Sequence, residues 1–86
     1  MHKKVRLVKE IPHDRYKIQI FNYNEKFILK IELDHFEQSF KISETDVSGI
    51  GDVENMITKE LLQNTLKRFV EMRTDWFNSF NLKNSR

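Results

Sequence analysis

The side chains that could do chemistry are few, and their spacing joins none of them into a motif. Histidines occur at His2, His13 and His35, with no His-x-x-x-His or His-x-His pair. His13 and His35 sit beside Asp14 and Asp34 in two separate turn segments that would share one end of a meander. A weak surface metal site is the most that placement offers, and turn preference accounts for Asp and His there without a ligand. Gly49-Ile50-Gly51 has the outline of a phosphate loop but lacks the third glycine, a preceding parallel strand and a Lys-Ser/Thr pair. Asp46, Asp52 and Glu54 around it would repel a phosphate. Read instead as a calcium loop starting at Asp46, the segment puts Ile57 at the twelfth position, where a bidentate glutamate is needed.

Nucleophilic catalysis finds no support either. Ser39, Ser43, Ser48, Ser79 and Ser85 have no histidine at a suggestive spacing, and no cysteine supplies a thiolate. Glu32 and Glu37 could lie side by side, but on an open sheet face with nothing to desolvate them, whereas a tuned catalytic carboxyl needs burial. The expectation is a protein that is not an enzyme and carries no metal or cofactor.

The elements that position these residues are read from alternation. Tyr16 to Phe21 and Phe27 to Leu33 each alternate apolar and polar residues around Asn22-Tyr23-Asn24-Glu25. A tight turn at Asn24-Glu25 sets Ile20 opposite Leu29, Ile18 opposite Ile31 and Tyr16 opposite Leu33 on one face. On the other face it sets Lys17 against Glu32 and Phe21 against Ile28. A second turn at Asp34-His35 places Leu33 across from Phe36, Leu29 across from Phe40 and Phe27 across from Ile42. Two misfits accompany that register: Gln38 falls in the apolar row opposite Ile31, and Glu32 faces Glu37. Neither turn sequence is ideal for a two-residue hairpin, which leaves longer loops open.

Upstream, residues 4–11 supply a first strand with Val5, Leu7 and Ile11 on one side, closed by the turn Pro12-His13-Asp14-Arg15. The fold class expected is α+β: a four-stranded antiparallel meander (about 4–11, 16–23, 26–33 and 36–42) in one domain of residues 1–86. A loop over 43–51 leads to one long C-terminal helix over about 53–80, which covers one sheet face, and 81–86 form a tail. Asp52 is the expected N-cap.

On a helical wheel, Leu61, Leu62, Leu66, Phe69, Val70, Met72, Trp76, Phe77 and Phe80 spread over about half the circumference, more than one packed face requires. Val53, Met56 and Ile57 are out of phase with them, so the helix either breaks near Thr58 or packs its first turns differently. At 1.5 Å per residue such a helix runs about 40 Å, beyond a sheet about 25 Å long, so its aromatic end should overhang. Phe69, Met72, Trp76, Phe77 and Phe80 are therefore the expected interface, most simply with a second copy in a homodimer and otherwise with another protein.

Fifteen basic and thirteen acidic residues leave a net charge of +2, with the signs alternating along the chain. Residues 1–7 have no apolar leader, and no stretch approaches the apolar length of a membrane span. A soluble, cytoplasmic protein with no membrane association is the expectation. An alternative to the interaction module is a single-stranded nucleic-acid-binding domain. Arg6, Lys17, Lys30 and Lys41 would lie on the outer sheet face beside the rings of Phe21 and Tyr23. A sheet followed by a C-terminal helix resembles, in topology alone, the arrangement of some dimeric single-stranded DNA binders. Glu10, Glu32 and Glu37 on the same face weigh against that reading.

Overall fold

A computed structural model describes residues 4–84; His2, Ser85 and the last two positions of the expected tail lie outside them. Four antiparallel strands, β1 (Arg6–Ile11), β2 (Lys17–Tyr23), β3 (Lys26–Leu33) and β4 (Phe36–Ser43), form one sheet in the order β1-β2-β3-β4. The register is the one that the alternation predicts, from Lys17 opposite Glu32 and Ile18 opposite Ile31 to Leu33 opposite Phe36. Both central hairpins close in two residues. Asn24 and Glu25 hold φ of 52° and 63°, the left-handed pair of a type I′ turn, while in the second turn only Asp34, at 54°, is left-handed. Glu25 is a costly residue for that region. Its carbonyl is tied down by the amide of Glu44 at 3.0 Å, and the Glu44 carboxylate accepts from the Asn22 side chain at 2.7 Å.

The first strand departs from expectation. A β-bulge between Leu7 and Lys9 pairs Leu7 with Phe21 but Lys9 with Ile20, and the extra residue reverses which way the side chains face. Val5 and Leu7 therefore lie on the outer face and Ile11 on the inner one, correcting their placement on a single side. Lys9, on the inner side, ion-pairs with Glu54 at 2.7 Å.

The inner face is closed by two helices, α1 (Ile50–Asn55) and α2 (Lys59–Asn84), after a short 3₁₀ turn at Glu44–Asp46. The single helix expected over 53–80 is thus broken at Met56–Thr58. Phase is the cause: in one continuous helix Val53 would point nearly opposite to Leu62 and Phe69, and the interruption lets all three reach the same core. Val53 and Phe69 are buried with Tyr16, Ile18, Ile20, Phe27, Leu29 and Ile31, and Ile50, Ile57, Leu61 and Leu62 pack around them.

Asp52 is not the cap; it lies inside α1, where its carboxylate accepts from the Ser48 amide at 2.7 Å. Thr58 caps α2, its hydroxyl accepting from the Leu61 amide at 3.0 Å. The helix also runs on to Asn84, so residues 81–84 of the expected tail are helical. Gln38, the misfit of the apolar row, lies under α2 and holds it: its amide donates to the Thr65 carbonyl at 2.9 Å, and its oxygen accepts from Arg68 at 3.3 Å.

Two substitutions test these local assignments by urea unfolding. Thr58→Ala should lower stability by about 1 kcal/mol through loss of the cap. Glu25→Gly should raise it by about 0.5–1 kcal/mol, because glycine adopts the left-handed conformation without the steric cost.

Candidate functional site

The long helix divides where the sheet ends beneath it. Through Met72 its inner side is covered: Thr65 is fully buried and Phe69 is 3% exposed. The Phe69 ring lies 6.0 Å from that of Tyr16, which in turn stacks on His13 at 4.9 Å. From Arg73 to Lys83 every residue is exposed, a projection of about 16 Å. The overhang shows in the whole molecule: the radius of gyration is 15.7 Å, against about 12 Å for a compact domain of this length.

The expected interface residues are split by this boundary. Trp76, Phe77 and Phe80 stand in water at 66%, 61% and 50% exposure. Met72 is half-buried at the edge of the core. Phe69 belongs to the core and is removed from the interface, since the sheet still lies beneath the helix at that turn.

Sequence reasoning left out the other wall of the site. A groove between α2 and the β3–β4 turn is lined first by Leu33, Asp34, His35, Phe36, Leu66, Phe69, Val70 and Arg73. It continues past His35, Phe36 and Arg73 to Trp76, Phe77 and Phe80. Leu66, Val70, Arg73, Phe77 and Phe80 follow one another at spacings of four, three, four and three residues. That is the repeat of a helix-packing seam, and it was the available signal for Val70.

The outer sheet face is not uniform. Reading across the strands, Leu7, Phe21, Ile28 and Lys41 form one row, and Tyr23, Lys26 and Ser43 lie beside it toward the Asn24-Glu25 turn. Toward the Asp34-His35 end come Glu10, Gln19, Lys30 and Ser39, then Lys17, Glu32 and Glu37. Arg6 pairs with Asn22, a residue of the helix-facing parity, so it leaves the set of outer-face cations; Lys17, Phe21, Tyr23, Lys30 and Lys41 remain there.

The residues weighed for chemistry have structural roles or stand apart. The Nδ1 atom of His13 accepts from the amides of Arg15 at 3.0 Å and Tyr16 at 3.2 Å, closing the first turn. His35 lines the groove. Among the described residues no three His, Asp or Glu side chains gather as metal ligands, and no helix is long and apolar enough to cross a membrane. The chain matches no protein-family model, no curated protein and no solved structure with which it was compared.

The boundary at Met72 has a measurable consequence. At concentrations where the chain is monomeric, amides of Leu62 to Met72 should exchange with solvent far more slowly than those of Asp75 to Lys83, because only the former segment is packed on the sheet. Amide hydrogen exchange read by NMR checks this.

Proposed function

We propose that this domain is a non-enzymatic interaction module that self-associates through the projecting half of α2, a second copy covering the groove beside the β3–β4 turn. One observation carries the reading: Trp76, Phe77 and Phe80 line up on a helix that has run past its own sheet. Together with Val70 they leave on the order of 450 Å² of apolar surface in water, within the range of the functional patches of monomeric proteins. Half-buried Phe36 and Met72 and the polar rim extend it toward the roughly 800 Å² per partner of a standard interface.

The seam favours a helix as the covering element, because spacings of three and four keep Leu66, Val70, Phe77 and Phe80 on one side. Arg73 interrupts it between Val70 and Phe77. A guanidinium there can lie on a ring face of the second copy, so the polar position is compatible with a dry contact. A twofold-symmetric pairing buries the same patch on both copies and closes the assembly at two.

Sedimentation equilibrium tests the proposal. The wild-type chain should run as a dimer, and Trp76→Glu or Phe77→Glu as monomers. Each variant should keep the wild-type circular dichroism, since neither side chain contributes to the core. A wild-type chain that stays monomeric at high protein concentration would contradict the reading.

A further inference from the structure

The bulge in β1 and the register of the sheet together sort the outer face into two ends of opposite character. One end holds Leu7, Phe21, Ile28 and Tyr23 with Lys26 and Lys41; Lys30 lies in the next row with Glu10, and Lys17, Glu32 and Glu37 follow at the far end. The three acids of this face thus lie in other rows than Phe21 and Tyr23. We propose that the basic, aromatic end binds single-stranded nucleic acid, with bases stacking on Phe21 and Tyr23 and phosphates meeting Lys26, Lys30 and Lys41. This surface lies on the side of the sheet away from the helices and goes beyond the self-association reading.

Three observations fit that ligand. Phe21 and Tyr23 are two residues apart on β2 and point the same way, which sets their rings about 7 Å apart, and a row of rings on a basic surface is what an unpaired strand needs. Tyr23 is 39% and Leu7 50% exposed, so the bulge adds an apolar floor that the monomer leaves wet. Two cations are available, since among the described residues Lys26 and Lys41 form no ion pair, whereas Lys30 is loosely paired with Glu32 at 3.9 Å.

Lys30 also holds its ammonium 5.3 Å from the centre of the Phe21 ring. A base arriving on that ring takes the place of the ammonium, which then turns to the adjoining phosphate. Glu25 and Glu44 share a pocket with Tyr23, but Lys4 and Arg6 line the same pocket and balance their charge, and Glu44 is engaged with the Asn22 side chain.

The test is fluorescence anisotropy of the full chain with a labelled oligothymidine of about ten nucleotides. Saturable binding should fall with added salt at a log–log slope of about −2, the value for three phosphate contacts on a single strand. Lys26→Glu and Lys41→Glu, both on exposed positions, should each weaken it at least tenfold, and Tyr23→Ala about tenfold. Lys17→Glu, at the acidic end, should leave it within twofold.

No saturable binding at low salt would overturn the proposal. So would equal affinity for a duplex of the same length, which offers no base to stack, or equal loss in Lys17→Glu and Lys41→Glu. Binding to phosphatidylserine vesicles without binding to the oligonucleotide would overturn it in favour of a lipid surface. Because Trp76→Glu leaves this face intact, its binding should match that of wild type per chain, which separates this test from that of self-association.

Discussion

Ile18, Ile20, Leu29 and Ile31 commit one side of a four-stranded sheet to being dry, and the rest of the fold follows from covering it. The strands can hide those side chains from water only if something lies over them, and the chain after β4 supplies that cover. Its two helices are set by the same demand. Val53 in α1 and Phe69 in α2 must both reach the isoleucine layer, and no continuous helix can aim both there. The break at Met56–Thr58 and the cap by Thr58 are the local form of that requirement. Gln38 belongs to the same design: a polar side chain in the apolar row would be costly to bury unpaired, and bonds to Thr65 and Arg68 make it the peg that fixes α2 over β4.

The cover is longer than what it covers. A helix of 26 residues extends about 39 Å, and the sheet occupies only its first half. Selection for monomer stability alone would not place three large aromatic rings on the remainder, where half or more of each stays in water. The proposed self-association gives the overhang a purpose, and it adds apolar burial to a domain whose small size and lack of cysteine leave few other supports. The outer face raises the same question in a milder form, because a bulge in an edge strand turns Val5 and Leu7 toward water and joins them to Phe21 and Ile28.

How much of this was legible depends on how many alternatives each segment allowed. In β2, β3 and β4 the alternation admits one register, since a slip by one residue exposes every apolar side chain, and the strand pairs follow directly. For β1 the pattern was ambiguous. Val5, Leu7, Lys9 and Ile11 alternate well enough without a bulge, and only pairing with β2 reveals the extra residue at Val8. The helix break was visible as a phase conflict, but its cap was not, because Asp52 and Thr58 both have capping side chains. Phe69 was misplaced for a related reason. A helical wheel shows that an apolar arc is wide without showing where the sheet beneath it stops, so a core ring and three free ones look alike. The groove wall of His35 and Phe36 depended on a tertiary meeting of turn and helix that no spacing along the chain records.

Trp76, the sole tryptophan of the chain, is placed to report whether a second copy covers the overhanging half of α2. The most direct measurement follows Trp76 emission and its quenching by acrylamide through a dilution series. On dilution from millimolar to nanomolar protein, emission should move to longer wavelength and quenching should rise together, as a shielded ring in the dimer becomes the exposed ring of the monomer. Red, freely quenched emission that stays constant across the whole series would mean that no second copy shields the overhang.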